Sequence, residues 1–315
     1  MTQKGKLGII FATLVVIGGG LVVYWLAWGA HGLVAGFNSE FMVRDDGYPG
    51  LKKLYGLDFG TDNVRQMETG LMYKACRDGD VDVICGFSTD GLLGAYNLKM
   101  LEDDKDFWPP YYACPVVRGD TLSRHPELRE ALGKLAGRID NDTMQGLNYR
   151  ATQAQSEQEV ARAYLVEAGL IEEGAEPGDG SAGEVVVASK NFTEQAILGD
   201  MMGLLIEHET NLAVTRKRNL STLACNTALQ AGDVDMYAEY TGTALVTHLK
   251  MKPRKDPEEV YDIVEREYKD RWDLVWLEPF GFENRYTLTM HPDRAKELGI
   301  ETISDLARYV NEHND

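Results

Sequence analysis

The tetrapeptide Gly-Asp-Val-Asp occurs twice, at residues 79–82 and 232–235, and each time an aromatic residue follows five positions after the last Asp. The first copy leads to Phe87-Ser88-Thr89 and the second to Tyr240-Thr241-Gly242-Thr243. Each copy follows a helical pattern ending near an Ala (Ala75, Ala228) and runs into a short apolar stretch, residues 81–85 and 234–237. The chain therefore holds two similar helix–strand–turn units, each placing an aromatic ring where a strand ends. Open α/β sheets bind ligands in the crevice at the carboxyl ends of their strands. Two such ends face to face would make a cleft between two lobes, with a ring from each side. Gly-Asp is also a common turn and Val-Asp-Val a common strand start, but the length of the match and its shared aromatic end favour a true repeat.

The chain has 315 residues and a net charge of −18, and its acidic residues are spread along its whole length. No basic patch with interleaved aromatics is present, which excludes nucleic acid as a partner. The acidity reads as a solubility feature. Residues 7–30 carry no charge, enough to cross a bilayer, which takes about 20 apolar residues. Lys4 and Lys6 precede this stretch, and Tyr24, Trp25 and Trp28 close it. The positive-inside rule and the aromatic belt then predict a single membrane-spanning anchor at 1–30, with everything after His31 on the extracytoplasmic side. The competing reading, a cleaved signal peptide, would have a shorter apolar core and a better cleavage site than Ala27-Trp28-Gly29-Ala30. Cys76, Cys85, Cys114 and Cys225 follow the anchor. That compartment permits disulfides, yet each Cys sits in an apolar stretch, so buried free thiols stand equally open. Neither the cysteines nor the six histidines have metal-site spacing.

Helical and strand patterns alternate after the anchor, which predicts α/β layers with largely parallel sheets. Strands are expected at 33–37, 64–67, 112–117, 184–188 and 286–290. Helices are expected at 70–78, 122–135, 142–149, 156–169, 193–208, 292–298 and 303–313. Residues 172–183 are rich in Gly and Glu and read as a flexible polar linker. Ile197, Met201, Leu204 and Leu205 fall at helical spacing and read as core. Asn191 with Glu194 three residues on predicts a capping box. Asp90, Asp235 and Glu239 read as turn and cap residues.

Ser189-Lys190-Asn191-Phe192-Thr193-Glu194-Gln195 and Glu239-Tyr240-Thr241-Gly242-Thr243 resemble the substrate-binding proteins of quaternary-amine (glycine betaine, choline, carnitine) ABC transporters. So do the stretches at 44–50, 88–91, 101–105, 109–111 and 142–149, and the likeness covers nearly all of 32–171 and 184–315. Their order is reversed relative to the family, in which the Ser-Lys-Asn-Phe-Thr-Glu stretch comes first and the Asp-Thr-Met-Gln stretch lies near the end. The resemblance therefore implies a circular permutant in which 172–183 joins the family's two natural ends. A swapped dimer, with halves pairing between chains, is the alternative.

The implied fold is a two-lobe α/β periplasmic-binding-protein-like (type II) architecture. One lobe would combine 112–171 with 184–281, and the other 31–111 with 282–315, around a ligand cleft. Family matching places four aromatics around a quaternary ammonium, Phe87, Tyr111, Tyr240 and Tyr286. Such a group donates no conventional hydrogen bond and is best held by π faces. Phe at 87 departs from members with Tyr there, keeping the π face and losing the hydroxyl. Lys190, Arg44 and Thr243 match anion-binding positions, and Asn284 is matched beside the cation. Because buried Arg and Lys need partners, the resemblance implies a carboxylated ligand over choline. Leu220-Ser221 precede Thr222 where the family more often has paired glycines, so the loop at the cleft is expected to differ in shape. Neither a nucleophile–base pair nor a nucleotide-binding glycine loop is present, so no enzyme activity and no cofactor are expected. The implied partners are the small quaternary amine, the ABC permease with its ATPase, and the membrane. A membrane-tethered sensor is the alternative. The short segment ahead of the anchor would oblige it to signal through another protein.

Overall fold

Among the described residues, ten strands form two five-stranded sheets. In chain order they are β1 (Ala35–Phe37), β2 (Val64–Gln66), β3 (Val83–Phe87), β4 (Lys99–Met100), β5 (Ala113–Arg118), β6 (Gly183–Lys190), β7 (Leu212–Leu220), β8 (Met236–Tyr240), β9 (Leu274–Trp276) and β10 (Tyr286–Met290). The structure, a computed structural model, describes residues 32–153 and 155–313. The expected membrane anchor lies outside the described residues. Among the described residues no helix is long and apolar enough to cross a membrane.

The first sheet has the order β2-β1-β3-β10-β4 and the second β7-β6-β8-β5-β9. The orders correspond strand for strand, with β3 and β8, the strands that follow the two Gly-Asp-Val-Asp copies, in the central position of each. In both units the same residues do the same work. Gly79 (φ 79°) and Gly232 (φ 85°) end the helices Thr69–Asp78 and Thr222–Ala231 in the left-handed conformation, which glycine adopts without steric cost. The next N–H closes back on the helix, Asp80 on the Ala75 carbonyl and Asp233 on the Ala228 carbonyl. The second Asp then staples the incoming strand to its neighbour. Asp82 Oδ2 accepts from the Val34 N–H at 2.9 Å and Asp235 Oδ2 from the Val186 N–H at 2.8 Å. Asp235 thus ties strands together rather than capping a helix.

The sheets are mixed, not largely parallel. β1 pairs in parallel with β2 and β3, and β6 with β7 and β8, but β10 and β5 run antiparallel to both of their neighbours. A parallel neighbour needs a crossover connection, usually a helix. β5 and β10 arrive directly from the opposite lobe and need none. The segments that deliver them bond to each other: Asn284 N–H donates to the Tyr111 carbonyl, Ala113 N–H to Phe282 and Phe280 N–H to Ala113.

Core side chains alternate along the strands as a two-residue period requires. On β5, Ala113 and Val117 join the larger core that runs through both lobes, while Cys114 and Val116 join a second core on the opposite face. Ile197, Met201, Leu204 and Leu205 are buried in the helix Thr193–Glu209. All four cysteines are buried free thiols. The helix expected at 122–135 is instead two, Gly119–Arg124 and Leu128–Gly133. Pro126 cannot donate to a helical carbonyl and its ring forces His125 out of the helical region. The linker is not free chain throughout, since Gly178 N–H bonds to the Glu207 carbonyl and Ala182 N–H to Asn211.

One close approach joins the lobes. A Cβ added to Gly91 would lie 2.4 Å from the backbone nitrogen of Tyr149, in the helix Asn141–Thr152. Gly91→Ala is therefore expected to push the two helices apart and to lower stability by about 1–3 kcal/mol. Thermal unfolding checks the loss, and small-angle scattering should show a larger radius of gyration.

Candidate functional site

The carboxyl ends of β3, β6 and β8 and the starting ends of the antiparallel β5 and β10 share one edge, where the two lobes face each other. A cavity of about 770 Å³ opens there, lined by all eight residues singled out in the sequence: Arg44, Phe87, Tyr111, Lys190, Tyr240, Thr243, Asn284 and Tyr286. Each arrives from a defined place. Phe87, Lys190 and Tyr240 end β3, β6 and β8, and Tyr286 begins β10 opposite Phe87. Tyr111 and Asn284 lie on the two crossings. Thr243 ends a short helical turn, Thr241–Thr243, and Arg44 sits in the loop ahead of the helix Tyr48–Tyr55.

The rings form a row across the cleft. Tyr286 and Phe87 have centroids 5.0 Å apart, Phe87 and Phe192 are 5.7 Å apart and nearly parallel, and Phe192 and Tyr240 are 6.4 Å apart. Phe192 was not among the residues singled out. It stands in the Ser-Lys-Asn-Phe-Thr-Glu stretch next to Lys190, and that adjacency was the available signal.

Neither cation of the expected clamp is without a partner. Arg44 grips Asp46 with two nitrogens, at 2.8 and 2.6 Å. It also reaches Thr243 Oγ1 at 3.4 Å and lies 5.4 Å from the Tyr286 ring centre. Burial works to raise the Asp46 carboxyl, but Arg44 and the Tyr111 hydroxyl hold it below the ordinary range. Lys190 Nζ lies 2.5 Å from Glu239 Oε1 and 5.0 Å from the Tyr240 ring centre. Glu239 also accepts from the Tyr237 hydroxyl and the Tyr240 N–H and meets His248 Nε2 at 3.0 Å. Burial pushes its carboxyl up, yet Lys190 and His248 hold it at about 2. Glu239 is thus a buried counter-ion and not a turn or cap residue. Choline would therefore leave neither Arg44 nor Lys190 unpaired, contrary to the expectation from sequence, because the protein supplies both partners.

The expected capping box is also absent. Phe192, not Asn191, takes the N-cap position of the helix Thr193–Glu209, with no side-chain cap. Glu194 turns inward and accepts from Thr89 Oγ1 (2.5 Å), Asn148 Nδ2 (3.0 Å), Tyr240 Oη (2.6 Å) and Asn284 Nδ2 (2.8 Å). The two amide groups can only donate here, one to each oxygen of Glu194, and the two hydroxyls complete the set. With Arg44 matched by Asp46 and Lys190 by Glu239, the carboxylates of Glu40 and Glu68 on the cavity lining, with Glu194 behind it, give the site a surplus of formal negative charge that complements a cation.

The chain belongs to the family described as the substrate binding domain of ABC-type glycine betaine transport systems, which it matches over residues 29–167 and 183–315. It is 42% identical over 120 residues to the carnitine transport binding protein OpuCC of Listeria monocytogenes, spanning 38% of each chain. It is 39% identical over 145 residues to a glycine-betaine-binding protein of Pseudomonas aeruginosa, spanning 46% of this chain and 47% of that one. The crystal structure of a glycine betaine/carnitine/choline ABC transporter is 39% identical over 46% of this chain and 53% of its own, with a TM-score of 0.35. The chain thus spans less than half the length of these two curated relatives. The family is one of substrate-binding components, not enzymes. Among the described residues no group of His, Cys, Asp and Glu could hold a metal.

Behind the Phe87–Phe192 pair lies a smaller cavity of about 230 Å³, lined in part by Thr89, Asp90, Asn148 and Glu194. Asp90 caps the helix Gly91–Ala95 by accepting from the Leu92 N–H. Burial raises its carboxyl to about 6, against that N–H and the Tyr73 hydroxyl, with Glu194 adding to the rise. A carboxyl raised in the folded state contributes stability that is full below about pH 4 and lost as pH rises through about 6. Asp90→Asn keeps a cap acceptor and cannot ionise. At pH 8 it is expected to be more stable than the wild type by roughly 2 kcal/mol, after a discount for partial exposure. The gain should vanish below pH 4, as urea unfolding across that range would show.

Proposed function

We propose that the protein is the extracytoplasmic substrate-binding component of an ABC importer. In this reading it captures a quaternary ammonium osmoprotectant such as glycine betaine, carnitine or choline and passes it to a membrane permease. The observation that carries the reading is the convergence of Phe87, Tyr111, Tyr240 and Tyr286 on one cavity whose fixed charges favour a cation. Cation–π attraction contributes about 0.5–2 kcal/mol per desolvated ring. The names of the Listeria and Pseudomonas relatives, which specify carnitine and glycine betaine, agree with this ligand class. Residues 1–30 would tether the domain to the membrane.

A ligand carboxylate would have to share Arg44 with Asp46 and Lys190 with Glu239, so the trimethylammonium group is the feature selected first. Titration calorimetry of the purified protein with glycine betaine, carnitine and choline should give saturable heat for at least one. Tyr240→Ala is expected to weaken binding about 2- to 30-fold. Arg44→Ala should cost the carboxylated ligands more than choline. No heat with any of the three would overturn the assignment.

The chain is read as a circular permutant. Two separate family matches support this, as does an alignment at 39% identity that stops near half of both chains. A rearranged chain running 184–315 and then 32–171 is expected to bind the same ligand with unchanged affinity in calorimetry. A rearranged chain that folds and fails to bind would count against permutation.

A further inference from the structure

Glu194 joins two walls of the cleft through its two oxygens. Oε1 accepts from the Tyr240 hydroxyl at 2.6 Å and from Asn284 Nδ2 at 2.8 Å, both lining the main cavity. Oε2 accepts from Thr89 Oγ1 at 2.5 Å and Asn148 Nδ2 at 3.0 Å. Thr89 lies two residues past Phe87, in the turn that leaves β3, and its carbonyl also accepts from Asn148 Nδ2 at 2.8 Å. One carboxylate therefore connects the ring on β8 to the turn that carries the ring on β3. Glu194 and Thr89 are 2% and 0% exposed, so water does not compete for these bonds. Charge-assisted hydrogen bonds of this kind are about twice as strong as neutral ones. Thr89 does not line the main cavity, and its side chain reaches the Tyr240 wall through Glu194.

We infer that Glu194 is a positioning residue that sets the width of the aromatic cage, by tying the Tyr240 hydroxyl on one wall to Thr89, next to Phe87, on the other. This rests on the quaternary-amine reading for its ligand and not for its geometry. A cage of fixed width discriminates among cations by size, preferring a trimethylammonium to its dimethyl analogue. Thr89→Val removes the hydroxyl donor at nearly constant volume, and Thr89→Ser restores it.

The test has two arms on the full chain. In the ligand-free arm, ring-labelled tyrosine is followed by NMR, with the Tyr240 signal assigned by its loss in Tyr240→Phe. That signal should move in Thr89→Val and stay in place in Thr89→Ser. In the ligand arm, the affinity ratio of glycine betaine to dimethylglycine should fall about tenfold in Thr89→Val and recover in Thr89→Ser. Should Thr89→Val fail to fold, Glu194→Gln, which exchanges one acceptor oxygen for a donor, is measured in the same way. An unmoved Tyr240 signal, or an unchanged ratio, overturns the inference. A wild type that binds no quaternary amine overturns the ligand reading instead, and the ligand-free arm then decides the role of Glu194.

Discussion

The site depends on the backbone pairing of the two crossings. Tyr111, Tyr112 and Ala113 run antiparallel to Phe282, Glu283 and Asn284, joined by direct N–H to carbonyl bonds. That pairing sets the starting ends of β5 and β10 side by side, and so brings the functional edges of both sheets to a common cleft. Gly242 shows how tight the junction is. A Cβ there would meet the Pro110 carbonyl and the Tyr111 ring at 2.8 Å. Two of the residues that line the cavity, Tyr111 and Asn284, belong to the crossings themselves, so the connection between lobes is also part of the cavity wall.

Electrostatics around the cleft follow one rule, that every buried charge has a local answer. Taking an ion out of water costs several kcal/mol unless it is paired and hydrogen-bonded. Arg44 meets Asp46, Lys190 meets Glu239, and Glu194 collects four neutral donors. This arrangement leaves none of these three charges at the cleft stranded. It also leaves aromatic faces and surplus negative charge as the features a ligand meets, which suits a diffuse cation that brings no donor of its own. The same rings already serve the protein's own cations, since Arg44 lies over Tyr286 and Lys190 over Tyr240.

The two lobes repeat one solution in detail. A left-handed glycine ends a helix, a strand begins, and an aspartate staples it to the strand beside it. The aromatic that follows then falls at the sheet edge, because five residues of strand bring the chain to that edge in both copies. A short sequence repeat is thus the visible part of a matched sheet order, β2-β1-β3-β10-β4 and β7-β6-β8-β5-β9. Its polar residues are explained by backbone geometry and not by ligand contact.

The sequence by itself determined the class of fold, the two helix–strand units, the core face of the helix Thr193–Glu209 and the eight residues that come to line the cavity. The repeat units and the core face are written in local pattern, in hydrophobic period and turn chemistry, and the eight residues in motifs that resemble those of a known family. Only the tertiary structure decided how their charges are spent. Glu239 and Glu194 look like ordinary turn or cap residues in one dimension, because a carboxylate's partner is chosen by distance in space. Glu194 meets Thr89, Asn148, Tyr240 and Asn284, all distant in sequence, and no spacing rule reaches that far. The antiparallel strands were hidden for the same reason, since their direction follows from a crossing between lobes and not from any pattern within β5 or β10.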